Sequence, residues 1–204
     1  MGGHGCRPSW GRYPALPLLV NFVYKLLGCD RTTRGHRHAS HGRSPLPILV
    51  STAGLAAYVG RRLVAENWFE IDQARIDRFA EVTGDHQFIH VDPVAARATP
   101  FGSTIAHGYL TLSLLPLLLE PIQLQPEGVS WGLNYGLDRL RFLAPVPAGA
   151  AVRAVSTLLA VENKGGGRLL MRSEVAVEIR GSDRPALAAT TLAMWVLGAA
   201  PAAG

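Results

Sequence analysis

From residue 51 onward the chain has no cysteine; its two, Cys6 and Cys29, both lie near the start. A disulfide framework is therefore excluded for most of the sequence, which agrees with a reducing compartment without requiring one. There is no phosphate-binding glycine loop with its lysine, no dinucleotide fingerprint and no Cys-rich ligand spacing. Neither a metal nor a cofactor is expected. No apolar run in the N-terminal part suits a membrane span: residues 14–28 hold about a dozen apolar positions, broken by Pro17, Asn21 and Lys25, where a span needs about 20. With Lys25 inside the run and little charge ahead of it, this segment is also a poor export signal. A cytoplasmic protein is expected.

Net positive charge is absent beyond the first 50 residues. The formal net charge of +5 suggests a nucleic-acid partner, but residues 1–50 carry 7 Lys and Arg against 1 acid. The remainder carries 13 against 14 and is nearly neutral. No specific nucleic-acid surface is expected in the body. Three parts follow: a basic leader over 1–50, one domain over 51–198 and a short tail over 199–204. Within the leader, residues 30–47 have the composition of a solvated, disordered segment. The run His36-Arg37-His38-Ala39-Ser40-His41 fits that reading better than a metal cluster.

The domain opens with helical signals and continues with strands. Leu55, Val59 and Leu63 suggest a short helix over 52–64, and residues 68–71 read as a strand. Asp72 is an N-cap candidate, and Ile76, Phe79 and Ala80 follow at helical spacing up to Gly84. Residues 85–92 read as a loop, and Asp92-Pro93 as the start of a short helix through Ala98. From Ala106 to Ile122 nearly every position is apolar, which predicts a long helix buried on all sides. Four strands follow, over 131–143, 151–161, 169–179 and 187–196. Gly165-Gly166-Gly167 and Gly181-Ser182-Asp183 punctuate the hairpins between the last three. Helices first and then consecutive strands indicate an α+β domain with an antiparallel sheet wrapped around the central helix.

Two polar clusters interrupt this apolar chain: Thr83-Gly84-Asp85-His86-Gln87-Phe88-Ile89-His90-Val91-Asp92, and Ala106-His107-Gly108-Tyr109. A carboxylate and an imidazole that meet across a loop can move protons to and from water. Spacing alone leaves open that Asp85 only closes a turn and that His90 is only a satisfied core histidine.

Gly84-Asp85, His90, Asp92-Pro93, Phe101-Gly102 and Ala106-His107-Gly108, in this order, resemble the MaoC-like dehydratases, which include the (R)-specific enoyl-CoA hydratases. Thr111-Leu112-Ser113-Leu114 and Asn134-Tyr135-Gly136 resemble the NodN-like branch. The resemblance implies a hot-dog fold, a homodimer and acyl thioesters of coenzyme A as substrates. It makes Asp85 and His90 the expected catalytic pair and the Gly108 N–H the donor to the thioester oxygen. Gln87, Phe101, Gly102, His107 and Tyr109 are expected against the substrate. Where the family motif reads Asp-x-Asn-Pro-x-His, this chain has Gln87 and Phe88 at the third and fourth positions; Gln87 keeps an amide that could brace the loop. Two other readings keep the fold. A thioesterase would want an acid on the central helix, and residues 107–119 hold none before Glu120. A binding module without turnover would have little need of both Asp85 and His90.

Overall fold

The computed structural model describes residues 47–198. The leader up to residue 46 and the tail over 199–204, with the cysteines and the histidine run, lie outside the described residues. Strand β1 (Ile48–Val50) pairs in parallel with β4 (Leu124–Pro126). Between them run β2 (Arg62–Val64), β3 (Phe69–Glu70) and helices α1 (Gln73–Thr83), α2 (Phe88–Val91), α3 (Pro93–Ala96), α4 (Gly108–Ser113) and α5 (Leu115–Leu119). Long strands follow: β5 (Val129–Phe142), β6 (Ala151–Gly165), β7 (Arg168–Ile179) and β8 (Leu187–Leu197). The main sheet is antiparallel in the order β2-β6-β7-β8-β5, with β3 also on β6. Leu110, Leu114, Leu115 and Leu118 of α4 and α5 pack with Val152, Val175, Val177 and Leu187 of the sheet. This is the sheet around a helix of a hot-dog fold.

The helix boundaries follow the local chemistry. The Asp72 carboxylate accepts from the Arg75 N–H at 2.8 Å and starts α1, and Gly84 ends it at φ 75°. Asp92 accepts from the N–H groups of Val94 and Ala95 and starts α3. Residues 85–92 are not all loop: Phe88–Val91 close one helical turn. The expected helix over 52–64 is a short 3-10 turn, Gly54–Tyr58, followed by β2. Gly60, at φ 81°, interrupts the helical path.

The central helix departs from expectation in two ways. It divides at Leu114 into α4 and α5, then ends in a 3-10 turn over Glu120–Ile122. Both prolines thereby fall in first turns, where no N–H is needed. Nor is it buried on all sides. Tyr109, Ser113 and Leu117 lie at four-residue spacing on the face turned away from the sheet, and all three are exposed.

The domain also starts earlier than residue 51. Val50 is buried with Leu55, Leu124, Leu158, Leu169 and Met171 in a second core cluster. Hydrogen bonds from Ile48 N to Gln123 O and from Glu127 N to Val50 O, both 2.9 Å, fix β1 in place. Deleting residues 1–46 is expected to leave the melting temperature unchanged. Deleting 1–50 exposes this cluster and forfeits burial of a valine, worth about 1.5–3 kcal/mol. Tm should fall by roughly 3–12 °C by calorimetry. Equal Tm for the two truncations would show that β1 is not part of the fold.

Candidate active site

Asp85 follows the left-handed glycine that ends α1, so its carboxylate leaves the helix axis and stands exposed. Among the described residues its side chain receives only the Gln87 N–H, at 3.4 Å. His90 sits in α2 and is 7% exposed. Its Nδ1 lies 2.8 Å from the Ile105 carbonyl oxygen. A carbonyl can only accept, so Nδ1 carries a proton, and in the neutral ring Nε2 presents a lone pair. Asp85, His90 and His107 each bring one side-chain donor atom into a group spanning no more than 4.8 Å. Asp85 and His90, which spacing alone left undecided, therefore belong to one spatial cluster with His107.

His107 joins the two. Its ring stacks on that of His90 at 3.8 Å between centroids and 27° between planes, and Phe79 lies tilted against it at 5.0 Å between centroids. Its Nε2 donates to the Asp85 carbonyl oxygen at 2.9 Å. By the same argument that nitrogen carries a proton, and the buried Nδ1, bare in the neutral ring, makes no hydrogen bond among the described residues. One imidazole thus holds the Asp85 backbone and backs the His90 ring. Two histidines and a carboxylate are also a transition-metal donor set. Each ring already has one nitrogen on a backbone carbonyl oxygen, His90 Nδ1 on Ile105 O and His107 Nε2 on Asp85 O, which leaves one nitrogen of each for other work.

A cavity of about 270 Å³ opens beside this cluster. His90, Gly108, Thr111 and Phe142 line it, with Ile105 and Val146 adding apolar wall. Gly108 begins α4, where an N–H has no partner within the helix. A Cβ at Gly108 would stand 3.1 Å from three atoms of the Phe142 ring, so glycine lets that ring approach.

Not every residue expected here is here. Phe101 and Gly102 lie in an exposed turn that Gly102 closes at φ 68°; neither lines the cavity, and of the three clustered side chains only His90 does. Tyr109 is 69% exposed on the outward helix face and touches the edge of Phe142. The Gln87 amide makes no hydrogen bond among the described residues; Gln87 serves through its backbone, donating to Asp85 and accepting from His90 N at 2.9 Å. Sequence reading missed Thr111 and Phe142. Thr111 was findable, being polar and three residues after Gly108 in an apolar helix. Phe142 comes from a strand end distant in sequence, and nothing local marks it.

Residues 55–178 match the model of the MaoC like domain. The chain is 46% identical over 146 residues to 3-hydroxyacyl-thioester dehydratase Z of Mycobacterium tuberculosis, covering 72% of this chain and 96% of that protein. It is 45% identical over 141 residues to nodulation protein N of Rhizobium leguminosarum bv. viciae, covering 69% and 88%. Among solved structures it matches an (R)-hydratase from A. caviae involved in PHA biosynthesis, with a TM-score of 0.52 and 24% identity over 69% of this chain and 96% of the other. That likeness shows the hot-dog fold.

Proposed function

The chain belongs to the MaoC-like dehydratase family, and from that premise we propose that it adds water to trans-2-enoyl-CoA to give (R)-3-hydroxyacyl-CoA, or runs the reverse dehydration. It is a hydro-lyase. The observation that carries the reading is the Asp85 carboxylate grouped with His90, whose tautomer is set by Ile105 O so that Nε2 is a proton acceptor. One water bridging two acceptors by hydrogen bonds of about 2.8 Å spans about 4.6 Å between them, and the ligand atoms of the three side chains lie within 4.8 Å of one another.

The β-carbon of the enoyl group lies over that water. As its oxygen bonds to the β-carbon, the pair takes a proton, and a proton is returned to the α-carbon. The two groups share this task as a coupled pair. Charge that builds on the thioester oxygen meets the Gly108 N–H. Atoms and electrons balance with water and thioester alone, so the reaction calls for no cofactor. A coenzyme A thioester substrate suits a cytoplasmic enzyme. No helix among the described residues is long and apolar enough to cross a membrane.

The expected result with (R)-3-hydroxybutyryl-CoA is growth of the conjugated enoyl-thioester absorbance without release of free thiol. Thiol release at a matching rate would mean thioester hydrolysis instead. Preference for the (S) substrate would reject the stereochemistry.

The enzyme is further read as a homodimer. β5 is a sheet edge, and Trp131, Leu133, Tyr135 and Leu137 along it are exposed, as are Phe142 and Tyr109 beside the cavity. Large exposed apolar strips and open edges are surfaces that soluble proteins cover. A second copy on β5 would also close the cavity's outer side at Phe142. Light scattering is expected to give twice the chain mass of 21.9 kDa. Leu133→Lys with Tyr135→Glu should return it to the monomer mass. A wild-type monomer at micromolar concentration would contradict the dimer.

A further inference from the structure

Gln73, the first residue of α1, uses its whole side-chain amide. Its NH₂ donates to the His90 carbonyl oxygen at 2.8 Å and to Asp77 Oδ1 at 2.7 Å. Its Oε1 accepts from the Thr104 hydroxyl. Carbonyl and carboxylate oxygens can only accept, so the orientation of the amide is fixed by its partners. The two contacts beyond its own helix flank one group. His90 O belongs to the backbone that carries the imidazole. Thr104 immediately precedes Ile105, whose carbonyl receives the His90 Nδ1–H. Gln73 thereby grips both ends of the arrangement that aims His90 Nε2. Thr104 is buried, and its own N–H and C=O neighbours continue the hold: Ile105 N donates to Ile89 O at 3.0 Å, and Ala148 N to Thr104 O at 2.9 Å.

We infer that Gln73 is a positioning residue, which holds the His90 imidazole in its proton-accepting orientation by tying the His90 backbone to the Thr104–Ile105 segment. Gln73 does not line the cavity and acts only through His90. The inference rests on the hydratase reading for its kinetic consequence but not for its structural one. Misplacing a catalytic group by about 1 Å costs up to about 10²-fold in rate.

The test has a spectroscopic and a kinetic arm on the full chain. In nitrogen-resolved NMR of the imidazoles, His90 in the wild type should show a single tautomer with a protected Nδ1–H. Gln73→Leu should broaden that signal or mix the tautomers. In kinetics, Gln73→Leu should lower kcat by about 10–100-fold with KM within about twofold. In a His90→Gln background the same change should produce no further loss, because a residue acting through His90 has nothing left to position. Thr104→Val, which removes only the hydroxyl, should give a smaller loss of the same kind. An unchanged His90 signal in Gln73→Leu overturns the inference whether or not the protein is a hydratase. So does a kcat loss that adds in full to that of His90→Gln. If the NMR change appears but wild-type protein hydrates no enoyl-CoA, the positioning role stands and the reaction assignment fails.

Discussion

Asp85→Asn and His90→Gln are each expected to lower hydration turnover by about 10²–10⁴-fold, the usual worth of a general acid–base group. The two variants should differ in stability. Asp85 is exposed, and among the described residues its carboxylate receives a single backbone N–H at 3.4 Å, which an asparagine oxygen can also accept. Asp85→Asn should therefore melt with the wild type. His90 is buried, and its Nδ1–H satisfies Ile105 O. Losing that bond costs about 1–3 kcal/mol, so His90→Gln should melt several degrees lower. His90→Asn separates the two effects: its amide reaches the Nδ1 position and can still donate to Ile105 O, while Nε2 is gone. Near-native melting with the same loss of turnover is expected of it. If the Asp85 and His90 variants all kept more than half of wild-type turnover, the pair would not be catalytic.

The second large effect is expected at Gly108. Gly108→Pro should turn over about 10²–10³-fold more slowly than Gly108→Ala, the typical cost of one oxyanion donor. Alanine is the proper reference, because both residues place a Cβ 3.1 Å from the Phe142 ring. Phe142 is 45% exposed and can yield a few tenths of an ångström. The backbone accepts proline. His107 ahead of it has φ −58° and ψ 137°, the extended region that a residue before proline prefers. Proline also suits a first helical position. What separates the variants is the N–H. Equal turnover at equal melting temperature would make Gly108 a packing residue that admits Phe142 and nothing more.

Much of this arrangement was legible in residues close together in sequence. The Asp72 cap and Gly84 stop bound α1, Asp92-Pro93 starts α3, and the glycine hairpins separate the last three strands, because each of these signals is local chemistry. Asp85 and His90 stood out as a pair only through the resemblance to the MaoC-like dehydratases, since their spacing alone left a turn residue and a core histidine open. What stayed hidden depends on distant partners. β1 is a strand only because residues 124–126 lie beside it. Nothing near His107 reveals that its Nε2 reaches back to Asp85 O, or that its ring backs His90. The outward face of α4 and α5 was misread because an apolar helix is buried only as far as the chain can cover it. Tyr109 and Leu117 exceed what one copy provides, which is the same fact that favours a second copy. Phe101 and Gly102 shared the motif's order but not its location, since a turn that glycine closes at positive φ carried them out of the cavity.

The central claim is that Asp85 and His90 activate a water for addition to an enoyl thioester. Its most direct test is the loss of conjugated-thioester absorbance when the protein is mixed with crotonyl-CoA, with chiral analysis of the product. The account predicts a steady loss with wild-type protein, an (R)-3-hydroxy product and no free thiol, and a near-flat trace with Asp85→Asn. A flat trace with folded wild-type protein across short and long enoyl chains, or an unchanged rate in Asp85→Asn, would contradict it.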